Sequence, residues 1–173
     1  MPSDIIVIPA DAALVKRAGV AQRGAWGYLW SMDLYHGRVL ELAANIPQSG
    51  RLARPDGSAT KVSRVCGSTV TVDVVLAGET IAALAVEAQA CALGQAAAAI
   101  LAEHAVGADI AEVAAARDAL GAMLKEGAAP PAGRFWELRH LEGVRDYPPR
   151  HASTMLAFEA AVAAIGLARS AAR

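Results

Sequence analysis

The stretch that decides the fold is Thr69-Val-Thr-Val-Asp-Val-Val-Leu76, then Ala77-Gly78-Glu79, then Thr80-Ile-Ala-Ala-Leu-Ala-Val-Glu-Ala88. The first run is β-branched and mostly alternating, which is the pattern of a strand. The middle triplet is a short turn signal, and the second run is a further strand. Just upstream, Lys61-Val-Ser-Arg-Val-Cys66 also alternates and predicts a strand that closes at Cys66. Connections this short favour an antiparallel meander over parallel crossovers.

On the N-terminal side, apolar residues recur at helical spacing from Tyr28 to Ala44: Leu29, Met32, Leu34, Tyr35, Val39, Leu42 and Ala43. Asn45-Ile-Pro47 stops that helix, and Gln48 to Ser58 reads as loop and turn. Residues 1–25 have no clear period. Residues 1–27 are expected to form an arm, ahead of a single domain over 28–173. On the C-terminal side, Ala90 to Val106 is Ala- and Leu-rich and ends at Gly107. Asp109 is a good N-cap for a helix to about Lys125. Gly127 to Gly133 is a linker, Arg134 to Val144 holds a short helix, and Tyr147-Pro-Pro149 breaks the chain. Ser153 or Thr154 is expected to cap a last helix reaching about Arg169. The order is one helix, three strands, then several helices. It predicts an α+β fold, a small antiparallel three-stranded sheet with helices packed on one face.

The chain has 173 residues, 55% of them apolar and 19% charged, which fits one folded domain with a single core. Net charge is −1, so the basic excess that nucleic acid or an anionic membrane would select is missing. No stretch reads as long and apolar enough to span a bilayer. The Asp4 to Pro9 apolar run is too short for a signal peptide and carries an acid where bases belong. The expected location is the cytoplasm. Two cysteines in a chain of this length do not make a disulfide framework.

Those cysteines stand at telling places. Cys66 lies at the Cys66-Gly67-Ser68 turn. Cys91 lies in Gln89-Ala-Cys91-Ala-Leu-Gly94-Gln95, at a helix start, where the helix dipole favours a thiolate. Thiolates bind soft metals and attack sulfur. If the sheet packs on that helix, the two sulfurs meet at one end of the fold. The alternative is that both are small buried hydrophobes. His151, in the segment leading into the last helix, can ligate a metal through neutral imidazole, or can be a plain surface residue. His36, His104 and His140 lack ligand-type spacing. Asp33, Asp73 and Glu87 read as isolated, solvated acids. No P-loop, GxGxxG, paired carboxylates or Ser-His-Asp set is recognisable, so neither nucleotide binding nor a conventional enzyme is indicated.

Several motifs in order carry a resemblance. They are Leu34-Tyr35-His-Gly-Arg-Val-Leu40 with Asn45-Ile-Pro47, then Cys66-Gly67-Ser68, then Ala90-Cys91-Ala-Leu-Gly94-Gln95-Ala96, then Gly143-Val-Arg145-Asp-Tyr147-Pro-Pro-Arg150. Together they resemble the U-type iron–sulfur cluster assembly scaffolds: the NifU N-terminal domain and the IscU and SufU proteins. The likeness spans roughly Tyr28 to Ile165. It implies a small sheet with helices packed on it, and a site where three cysteines and an aspartate hold a nascent [2Fe–2S] cluster or iron, or alternatively zinc. It also implies a cysteine desulfurase, or another assembly factor, as partner. Cys66 and Cys91 match the first two cysteines and are the expected cofactor-binding and metal residues, with His151 as a third metal ligand. Ser68 stands at the aspartate position and Ser153 at the third cysteine position. Two readings follow: a scaffold or carrier with a reduced ligand set, or a divergent paralogue without a cluster. The second would act as an interaction module, or as a zinc-bearing sulfur-transfer accessory.

Overall fold

The computed structural model describes residues 34–172. The arm expected over residues 1–27, together with Leu29, Met32 and Asp33, lies outside them. Three strands run as an antiparallel meander: β1 (Gly57–Val62), β2 (Thr69–Ala77) and β3 (Thr80–Gln89), in the order β1-β2-β3. Five helical elements accompany them: α1 (Gly37–Ala44), α2 (Ala92–His104), α3 (Ile110–Glu126), a 3-10 segment (Gly133–Asp146) and α4 (Pro148–Ala171). The α+β class and the meander match the sequence reading.

Alternation explains how β2 serves the core. Val70, Val72 and Val74 are fully buried on one face. On that face α4 lies across β1 and β2. The approach is close: a Cβ on Gly57, the partner of Val74, would stand 2.0 Å from the carbonyl oxygen of Ala164. Small residues on α4 (Ala157, Ala160, Ala161, Ala164 and Ala168) permit this distance, and α2 is buried along its length in the same way.

The other face of β2 holds a surprise. Asp73, expected to be solvated, is 0% exposed. The chain from Gln48 to Leu52 crosses that face. Arg51 grips both Asp73 oxygens at 2.7 and 3.0 Å, and the Leu52 amide donates to Asp73 Oδ2 at 3.0 Å. Burial pushes the Asp73 carboxyl up, but these donors outweigh it and hold the pKa below its ordinary value. The same crossing segment binds the outer edge of β3: Gly50 donates to the Val86 carbonyl and Val86 to that of Gln48.

Four further expectations are corrected. Tyr35 and His36 interrupt the expected first helix, so α1 begins at Gly37, although Asn45 ends it as anticipated. β1 starts at Gly57, inside the expected loop, and ends at Val62, so Cys66 lies in the turn beyond the strand. α4 starts at Pro148, whose missing N–H suits a first helical turn. Ser153 and Thr154 are interior to it and donate back to the Arg150 carbonyl. Finally, α4 has 24 residues and holds an 18-residue stretch at mean hydropathy 1.4, long and apolar enough by composition to cross a bilayer. Its apolarity has another cause, because 67% of that stretch is buried inside the fold. The Asp109 cap is as expected, with a reciprocal capping box to Glu112.

Candidate metal and thiol site

The β2–β3 hairpin brings the two cysteines to one end of the sheet. Thr69 pairs with Gln89, so Cys66 just before β2 and Cys91 just after β3 are carried together. Cys91 is the N-cap residue of α2. The helices complete the site. A Cβ on Gly94 would stand 3.0 Å from the Ser153 carbonyl oxygen, so the absence of a side chain there lets α2 and α4 touch beside Cys91. This contact places Ser153 against Cys91.

Hydroxyls fill the space between the sulfurs. The Cys66 thiol shares a 3.0 Å hydrogen bond with Ser68 Oγ and donates to Ser63 Oγ at 3.4 Å. The Cys91 amide donates to Ser68 Oγ at 3.4 Å, which leaves the Ser68 proton free for Cys66. The Cys91 thiol donates to Ser153 Oγ at 3.6 Å, and Ser153 in turn donates to the Arg150 carbonyl. The hydrogen bonds of Ser63 and Ser68 lower the Cys66 pKa from 9.0 to about 7, against a smaller opposing effect of burial. Cys66 is exposed and Cys91 half-buried, so Cys66 is no buried hydrophobe.

The sequence-derived residues are therefore unequally placed. Cys66, Cys91, Ser68 and Ser153 form one cluster. His151 lies on α4, and its Nε2 is 3.1 Å from the carbonyls of both Val144 and Arg145. Ser63 was missed, although its position three residues before Cys66, in a tight turn, was a usable signal. Arg150 was missed as well. It lines a cleft with Val65, Cys66, Tyr147 and Pro149.

Among the described residues, one set of His, Cys, Asp or Glu donors lies within 4.8 Å of one another: Glu103, His104 and Glu137. It sits at the far end of α2. Glu137 is buried there and already paired with Arg38 and with His104 Nε2 at 2.9 Å. Burial pushes its carboxyl up, but the two partners more than offset this and hold its pKa below 4.5. Both carboxylate oxygens of Glu137 are thus already engaged.

Comparison with known proteins accords with the geometry. Residues 34–134, more than half of the chain, match the family model described as the NifU-like N terminal domain. The chain is 44% identical to the N-terminal part of a nitrogen-fixing NifU-like protein from Brucella abortus, over 82% of this chain and 98% of that one, with a TM-score of 0.80. It is 18% identical to a candidate iron–sulfur cluster assembly scaffold protein for the SUF system from Fervidobacterium islandicum, over 76% of this chain and 96% of that one, with a TM-score of 0.71. It is 20% identical to a hypothetical protein, over 81% and 98% of the two chains, with a TM-score of 0.69. The last two likenesses speak to fold alone. No curated protein matches this chain. On the family match, and on the close likeness over nearly the whole Brucella domain, the chain belongs to the NifU-like N-terminal domain family of U-type scaffolds.

Proposed function

We propose that this chain is an iron–sulfur cluster assembly scaffold or carrier that holds iron or a nascent [2Fe–2S] cluster, as cargo, on Cys66 and Cys91. The observation that carries this reading is the convergence of the two cysteines, one of them exposed, at one end of the sheet. Thiolate is the preferred donor for such cargo, and an exposed sulfur lets it enter and leave. The fit is partial. Ser68 and Ser153 offer hydroxyls, which are neutral and weak donors, where the family motif has carboxylate and thiolate. His151 would serve as a third ligand by giving up its two carbonyl partners. Cysteine desulfurase or another assembly factor is the proposed partner, and a reducing compartment such as the cytoplasm suits two free thiols.

Anaerobic reconstitution with iron and sulfide tests this reading. The expected result is visible-range absorbance that Cys66→Ala abolishes. Absence of such absorbance in the wild-type chain, both with and without an added thiol, sinks it. A second reading draws on the hydroxyl-supported Cys66 thiolate: a zinc-bearing or metal-free sulfur-transfer accessory. Elemental analysis of protein purified without a metal-affinity tag separates the two, with iron favouring the first and zinc or no metal the second.

A further inference from the structure

The scaffold reading leaves the cargo short of donors, and the inference drawn here rests on that reading. Beyond its bridging sulfides, a [2Fe–2S] cluster takes four ligands, and the protein offers two sulfurs. The hydroxyl of Ser153 is already spent on the Arg150 carbonyl, and that of Ser68 accepts from the Cys91 amide. Even with His151 as a third ligand, one position is left open, and a thiolate from outside the chain can fill it.

The surface beside Cys66 is built to receive one. Val65, Cys66, Tyr147, Pro149 and Arg150 line an open cleft of about 390 Å³, within the roughly 300–1,000 Å³ of small-molecule sites. Val65 is 69% exposed, the most exposed of the large apolar side chains among the described residues. The walls are apolar carbon, one edge is sulfur, and the remaining edge is a guanidinium. Among the described residues, Arg150 has no acidic partner within 4.0 Å, and neither does Arg64 in the turn before Cys66. Asp146, the nearest acid to Arg150 along the chain, pairs with Arg145 at 3.7 Å. Arg150, half-buried and without a carboxylate partner among the described residues, next to a thiol and an exposed apolar side chain, suits a ligand with an anionic end and a short carbon body, and the open ligand position of the cargo calls for sulfur.

We propose that this cleft binds a small thiol carrying a carboxylate, which pairs with Arg150 and presents its sulfur beside Cys66 to complete the coordination of the cargo iron. The thiol gives its proton to solvent when it ligates. No electron is transferred, so no oxidant is needed.

The test uses the full chain, reduced and metal-free, under nitrogen. Glutathione serves as the probe and cysteamine, a thiol without a carboxylate, as the control. Calorimetry is expected to give saturable binding of glutathione at one per chain. Arg150→Ala should weaken it about tenfold, the usual worth of one charge-assisted pair, and Arg150→Lys should retain most of it. The Arg150 side chain makes no hydrogen bond to the rest of the protein among the described residues, so both variants should fold; circular dichroism checks this. No saturable binding, equal affinity in Arg150→Ala, or equal affinity for cysteamine overturns the proposal. A second arm repeats the reconstitution with each thiol and assays thiol retained after gel filtration. A cluster formed equally well with cysteamine and retaining no glutathione overturns the anionic-thiol proposal and leaves the scaffold reading standing. A cluster formed with neither thiol defeats the scaffold reading, and the proposal with it. The calorimetry then reports only whether the cleft binds an anionic thiol.

Discussion

The two ends of α2 each carry a polar cluster, and the two are built on opposite rules. At the C-terminal end, Glu137 is buried and both its oxygens have a partner, Arg38 on one and His104 on the other, while Arg38 also pairs with Glu41. At the N-terminal end, Cys66, Cys91 and three serines meet with no carboxylate among them, and Cys66 is open to solvent. The first cluster is saturated and therefore structural. The second has weak partners and an unmatched cation beside it, which is the condition for receiving something else. A residue count finds a better metal triad at the C-terminal end, with one His and two Glu. The partners reverse that ranking, because a carboxylate already paired with Arg38 and hydrogen-bonded to His104 gains little from a further cation.

The contrast can be broken most directly through stability. Glu137→Ala removes the shared buried partner of Arg38 and His104 and is expected to lower unfolding stability by about 2–4 kcal/mol. Ser153→Ala removes one neutral hydroxyl and should cost about 1 kcal/mol. Urea unfolding checks both, and the reverse order would refute the assignment of roles. The same carboxylate predicts a pH dependence. Its folded pKa lies below 4.5, so its contribution is present above that value and is lost as pH falls through the folded pKa. Glu137→Gln should flatten that acid limb.

A sharper probe restores a donor at the other end. Ser153→Cys puts sulfur where the hydroxyl now stands against Cys91. Iron retained after reconstitution should rise, with release to a chelator slowed about tenfold or more. Unchanged retention would mean that the hydroxyl is not what limits the site.

The smallest expected effect is kinetic. Alkylation of Cys66 by iodoacetamide should reach half its maximal rate near pH 7, set by its lowered pKa. Ser63→Ala should move that midpoint upward and slow the reaction a few-fold at pH 7. An unmoved midpoint would remove the hydroxyls from the account of this thiol.

Much of this was readable along the chain because it is local. The β2–β3 turn, the Asp109 cap and the stop at Asn45 each depend on a few neighbouring residues. The meeting of Cys66 and Cys91 was expected only if the sheet packs on the helix; in the fold the β2–β3 hairpin brings its two open ends together. What stayed hidden depends on distant segments. Asp73 on an alternating strand looks like a solvent-face residue until Arg51 is laid over it. The start of β1 at Gly57 was masked by Asp56-Gly57, which reads as a turn. In the fold, the Asp56 amide pairs with the Val74 carbonyl and its side chain accepts from the Leu76 amide. Ser153 looked like a cap because hydroxyls favour helix starts, but two prolines upstream already begin that helix.

The segment that crosses behind the sheet has one more effect. Gln48 to Gly50 ties to Val86, and residues 107–110 tie to Glu79 and Ile81, so the outer edge of β3 is occupied at both ends. The other edge, β1, is six residues long and carries Lys61. Short, charged or covered edges resist strand-to-strand growth. A protein that must keep a reactive sulfur and an apolar wall exposed at one end is thereby guarded against polymerising through its sheet.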